Sequence, residues 1–119
     1  NDTIIILDDD IYIHKAWKMR FKEKSPNMLL KCFEFANEAI DYIENLSIEE
    51  KEKSLFLVDY ELSNQTINGL EVAEKVNLPR CVLVTNHFCN KEIEKKLIQL
   101  DMQMLEKLNI SKIPINLQS

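Results

Sequence analysis

The segment Thr3-Ile4-Ile5-Ile6-Leu7 runs straight into Asp8-Asp9-Asp10, and a second, Ser54-Leu55-Phe56-Leu57-Val58, runs straight into Asp59. Short, unbroken apolar runs rich in β-branched residues read as strands buried on both faces, the kind a parallel sheet requires. Parallel strands place their carboxyl ends on one edge. Acids that follow such strands therefore converge in the crevice where open α/β sheets bind ligands, provided the two strands are neighbours. Carboxylates gathered in one crevice repel one another, and a hard, oxygen-seeking cation such as Mg²⁺ relieves that repulsion. Aspartate is also favoured at helix N-caps, and one of Asp8 to Asp10 fits that role for the helix that follows. A cap uses one acid, and it does not account for Asp59.

The 119 residues suit a single domain. With 45% hydrophobic and 29% charged residues the chain is ordinary globular material, and its longest apolar run is too short to cross a bilayer. Twenty acids against 15 bases give a net charge of −5, and no Lys/Arg cluster is interleaved with aromatics, which argues against direct nucleic-acid binding. Cys32, Cys81 and Cys89 are odd in number and lack C-x-x-C spacing, so they read as reduced core thiols of a cytoplasmic protein, not a zinc site. The chain opens on Asn1 instead of Met, which makes a piece of a longer protein the expectation.

Strand-like and helix-like segments alternate along the chain. Ile13, Ala16, Trp17 and Met19 recur near helical spacing up to Lys24, before Ser25-Pro26-Asn27 stops the helix. Met28 to Phe35 mixes apolar and polar positions like a strand near a sheet edge, and Asn37 is a candidate cap for a helix carrying Ala39, Ile40, Ile43 and Leu46. Ser47 to Ser54 is charged and reads as a solvated helix end and loop. After Asp59 a loop leads through Asn68-Gly69, the only glycine, to a helix over Leu70, Val72, Ala73 and Val76 that stops near Pro79. Cys81 to Thr85 is a fourth strand, Lys91 to Leu100 a helix, and Met102 to Leu105 a weaker fifth strand. This βα rhythm predicts a parallel sheet with right-handed crossovers, covered on both faces.

Five landmarks, in order and near the right spacing, resemble the receiver domains of two-component response regulators: LDDD at Leu7 to Asp10, VDYEL at Val58 to Leu62, NGLEVAEKV at Asn68 to Val76, Thr85 and Lys107. The resemblance covers nearly the whole chain. DDDIYIH with Trp17 further resembles receivers at the C-terminus of hybrid sensor histidine kinases. The resemblance implies a flavodoxin-like, doubly wound five-stranded parallel sheet of order 2-1-3-4-5 with helices on both faces. It implies one receiver domain over residues 1–119, whose parent chain would be a kinase if it is a hybrid.

By that resemblance Asp59 is the phosphoacceptor, attacking the phosphorus of a phosphohistidine on a histidine kinase or phosphotransfer domain. Asp8, Asp9, Asp59 and the backbone carbonyl of Glu61 would hold Mg²⁺, which offsets charge on the transferred group. Lys107 would pair with one phosphoryl oxygen and Thr85 would donate its hydroxyl to another, coupling phosphorylation to the loop after the fourth strand. Glu61 and His87 would flank the path of hydrolytic water and tune the lifetime of the acyl phosphate. At most, then, the domain phosphorylates itself and removes that group again. Met104 stands in the place of a switch aromatic. His14 has no kinase-type histidine motif around it and reads as a surface or packing residue.

The chain also departs from the family pattern. Nine residues, Tyr60 to Asn68, separate Asp59 from Gly69, about two more than the family has, with Ser63-Asn64 replacing a Met-Pro pair. Asn86 follows Thr85 in place of a small residue, and Leu108 follows Lys107 in place of a proline whose cis peptide helps aim the lysine. Asn109 to Ser119 contains Pro114 and little helical periodicity, so a final helix is expected to be short or absent, which leaves a homodimer possible without favouring it. A pseudo-receiver that docks a partner without being phosphorylated is the competing reading. A Mg²⁺-dependent hydrolase using Asp8-x-Asp10 is a third, for which the chain has no room for a cap domain.

Overall fold

Alternation inside the first strand decides the layers. In the computed structural model, which describes residues 3–24, 27–62, 65, 67–85 and 91–106, β1 spans Thr3–Leu7. Successive side chains of a strand leave opposite faces, so Ile5 and Leu7 join one core cluster while Ile4 and Ile6 join another. Both faces must therefore be covered. The elements that follow are α1 (Ile11–Lys24), β2 (Leu29–Phe33), α2 (Ala36–Glu44), α3 (Ile48–Glu52), β3 (Ser54–Asp59), α4 (Gly69–Val76), β4 (Cys81–Thr85), α5 (Lys91–Leu100) and β5 (Gln103–Glu106).

The five strands form one parallel sheet of order β2-β1-β3-β4-β5, the order that the family resemblance implies. β1 and β3 are neighbours, with Leu7 opposite Val58, which sets the acids that follow them side by side. On one face Ile5, Leu7, Phe56, Val58 and Leu83 pack with Ala39 and Ile43 of α2, Val72 and Ala73 of α4, and Ile93 and Leu97 of α5. On the other, Ile4, Ile6, Leu57 and Val84 pack with Trp17 and Phe21 of α1, whose rings stack 5.6 Å apart. Phe56, buried at a central position, is the largest fully enclosed side chain, and truncating such a residue costs about 3–5 kcal/mol.

Three local expectations are corrected. Ser47 to Ser54 is not the end of the preceding helix and a loop but a separate short helix: α3 forms there behind a capping box in which Ser47 Oγ accepts from Glu50 N at 3.1 Å and Glu50 Oε1 accepts from Ser47 N at 3.0 Å. Asn37 is not the cap of α2, which begins one residue earlier after Phe35, a residue that makes no side-chain cap bond. The edge strand β2 is shorter than Met28 to Phe35. The segment 109–119, and with it the expected fate of a final helix, lies outside the described residues. No helix among the described residues is long and apolar enough to cross a membrane.

Candidate functional site

At the carboxyl edge of the sheet the chain turns twice within a few ångströms. After β1, the Asp8 amide donates to Phe33 O at 3.0 Å, which carries the ladder one residue past the strand and buries the aspartate. Asp8 Oδ1 then accepts from Asp10 N at 2.8 Å, and Asp10 Oδ1 accepts from Tyr12 N at 2.9 Å. Asp10 is thus the exposed acid that caps α1, as Asp does when its carboxylate meets the unpaired amides of a first turn. That duty removes it from the site and weakens the Asp8-x-Asp10 reading. Asp9 lies between, half-buried.

After β3, Asp59 is buried, 3% exposed, and its Oδ1 accepts from Glu61 N at 3.3 Å. The following turn is fixed by backbone: Tyr60 N donates to Val84 O at 3.3 Å, and Tyr60 O accepts from Gly69 N at 2.9 Å. Gly69 opens α4 directly beneath Asp59. A Cβ there would overlap the Asp59 carbonyl and come within 2.9 Å of Tyr60 Cα, so the chain's sole glycine is required by close approach. Asn68 caps α4 through a capping box with Glu71, at 3.0 and 3.1 Å.

The two turns bring Asp8, Asp9 and Asp59 together, with one carboxylate oxygen from each inside 4.8 Å of the others. At an effective dielectric of about 20, two unit charges so placed repel by on the order of 3 kcal/mol. Two of the three are buried, so solvent screens them little. An all-oxygen set of anionic donors at that spacing fits a hard divalent cation of the Mg²⁺ or Ca²⁺ class and does not fit a thiophilic metal.

Thr85 ends β4 at the same edge, fully buried, and pairs with Glu106 of β5. Lys107, the next residue in sequence, lies outside the described residues, as do Asn86, His87, Cys89, Leu108, Ser63 and Asn64. Met104 is half-buried in β5, and Glu61 is exposed beside the cluster. His14 packs into the fold, 7% exposed, and its buried Nε2 makes no hydrogen bond among the described residues. Cys32 and Cys81 are free thiols within strands; burial pushes Cys81 up to about 12 and raises Cys32 as well, which keeps both protonated at neutral pH.

Two contributors were not singled out from sequence. One is the close approach of Gly69, for which the signal was present in its being the chain's single glycine. The other is Gln65. Its Oε1 accepts from Ala36 N at 2.7 Å and its Nε2 donates to Glu34 O at 3.0 Å, fastening the loop after Asp59 to the start of α2.

No protein-family model matches the chain, and no curated protein matches it. Solved structures do match. A CheY-like response regulator receiver domain protein from Methanospirillum hungatei superposes with a TM-score of 0.70 at 22% identity, covering 98% of this chain and 84% of its own. A response regulator receiver protein from Dyadobacter fermentans gives 0.72 at 21% identity over 95% and 88%. The receiver domain of the histidine kinase CKI1 from Arabidopsis thaliana gives 0.72 at 17% identity over 92% and 83%. At these identities the likeness establishes the fold.

Proposed function

We propose that this chain, folded as the receiver domains of response regulators are, is a phosphoacceptor that takes a phosphoryl group onto Asp59 from a phosphohistidine. The observation that carries the reading is the meeting of Asp8, Asp9 and Asp59 at the carboxyl edge of that fold, with one oxygen of each within 4.8 Å of the others. The donor is a histidine kinase or a phosphotransfer domain. The domain, residues 1–119, is one receiver unit of a longer cytoplasmic protein, and a hybrid histidine kinase is the parent that the Asp8-to-His14 segment suggests.

The Asp59 carboxylate is the nucleophile: its oxygen forms the new bond to phosphorus as the phosphorus–nitrogen bond to imidazole breaks, and the leaving nitrogen takes up a proton. Burial desolvates the attacking oxygen, and the Glu61 amide holds the other carboxylate position through Oδ1. Mg²⁺ held by Asp8, Asp9, Asp59 and the Glu61 carbonyl would supply charge neutralisation for the transferred group. Thr85 would donate its hydroxyl to a phosphoryl oxygen, and Lys107 would pair with another as a point charge. Glu61 and His87 are placed by sequence to influence the water that ends the acyl phosphate. Capping of α1 by Asp10 keeps that neighbouring acid out of the reaction.

Intact-mass measurement after incubation with a small phosphodonor, with and without Mg²⁺, tests the reading. A Mg²⁺-dependent gain of one phosphoryl group that Asp59→Asn abolishes is the expected result. A chain that gains nothing, even from a histidine-phosphorylated donor protein, is instead a docking module that keeps the fold without the chemistry.

A further inference from the structure

Helix α2 begins without a local cap. Its flanking residue, Phe35, offers no side-chain acceptor, yet the first-turn amides of a helix need partners. The Ala36 amide finds one 29 residues further along the chain, in Gln65 Oε1 at 2.7 Å. The same amide group turns its nitrogen to Glu34 O at 3.0 Å, so Gln65 grips the chain on both sides of Phe35. Few side chains can do this. It takes a planar group with a donor and an acceptor side by side, on a stem long enough to leave its own loop.

Gln65 is also tied back toward Asp59. Its backbone N–H donates to Leu62 O at 3.3 Å, and Leu62 is buried in the core face under α2 and α4. Leu62 follows Glu61, whose N–H meets Asp59 Oδ1. Between the acid cluster and the first turn of α2 there is thus a continuous run: Asp59 Oδ1, Glu61 N, Leu62 in the core, Gln65, Ala36 N. The loop has two ends and both are fastened.

We infer that Gln65 is a positioning residue that makes the acid cluster and the start of α2 one coupled unit, so that a divalent cation at Asp8, Asp9 and Asp59 tightens the Gln65–Ala36 bond and loss of that bond weakens cation binding. The inference rests on the reading of the cluster as a cation site. Reciprocity follows because binding free energies at two linked places change one another by the same factor, and groups that orient a metal's ligands act on affinity without touching the ion.

Amide NMR of the full chain during a Mg²⁺ titration tests it. In the wild type the amides of Asp9, Tyr60 and Glu61 shift with Mg²⁺, and exchange of the Ala36 amide slows. In Gln65→Ala the apparent affinity for Mg²⁺ falls roughly threefold to tenfold, and Ala36 exchange no longer responds to Mg²⁺. Gln65→Glu keeps the acceptor for Ala36 N–H while losing the donor to Glu34 O, and restores part of the response. A cap that serves stability alone would speed Ala36 exchange by one factor, with and without Mg²⁺, and leave the affinity unchanged; that result overturns the inference while sparing the cation site. Absence of any Mg²⁺-induced shift at Asp9, Tyr60 and Glu61 in the wild type overturns the cation site itself, and the inference with it.

Discussion

The turn after β1 and the connection after β3 deliver acids to the same spot, each with a carboxylate that accepts from the amide two residues on, but they differ in how much of the rest is held from afar. Past the ladder bond from Asp8 N to Phe33 O, the first turn is built from neighbours: Asp8 accepts from a residue two positions on, Asp10 does the same, and α1 starts at once. The second is held from afar, by Gly69 wedged beneath the Asp59 carbonyl, by the Val84 carbonyl of β4, and by Gln65 reaching to Glu34 and Ala36. A local turn survives changes elsewhere and is easily read from sequence. A long connection is only as well placed as its distant anchors, and those anchors are where its geometry can be adjusted.

If that contrast is right, the largest effect of a single methyl group falls on the second connection. Gly69→Ala forces the Asp59 and Tyr60 backbone to move, and should cost about 3 kcal/mol of stability in denaturant titration. A change under 1 kcal/mol would mean that the anchor is soft. Next come the acids themselves. Asp59→Asn or Asp8→Asn relieves repulsion in a shared, buried cluster, and each should raise stability in chelator by about 1–2 kcal/mol while flattening its dependence on Mg²⁺. Asp10→Ala tests the first turn alone: loss of the α1 cap should cost about 1 kcal/mol, with the response to Mg²⁺ retained. Loss of that response would merge the two turns into one unit and end the comparison.

The smallest effect reports on the sheet behind the second connection. Burial raises the Cys81 thiol from 9.0 to about 12. The folded chain keeps that proton where the unfolded chain loses it, so this contribution to stability is complete below pH 9 and drains away as pH rises toward 12. Alkylation read by peptide mass should leave Cys81 unlabelled at pH 8 in the folded wild type and label it after denaturation. Gly69→Ala should show intermediate labelling if its strain reaches β4.

Local signals were legible and tertiary ones were not. The strands announced themselves because a two-face-buried strand is a continuous apolar run, and Asp8, Asp9, Asp59 and Thr85 were readable as the residues that close or follow such runs. At α3 the sequence shows a helix end but not a separate helix, although Ser47 and Glu50 stand at capping-box spacing, because charges dominate a five-residue element. For the start of α2 sequence offers only neighbours as candidate caps, Asn37 among them, and Gln65 is not a neighbour. The extra length of the segment 60–68 was visible, but not that one of its residues would fasten it to α2.

The pairing of β1 with β3 joins segments about fifty residues apart. Closing so long a loop is an entropic barrier that local turns do not face. Before it closes, Asp8 and Asp59 belong to separate stretches of chain, and a divalent cation has nothing to grip. A cation bound there would therefore enter the folding reaction late: it would prolong the life of the finished sheet more than it would hasten its assembly, and a chain whose central strands part would lose its charge site in the same event.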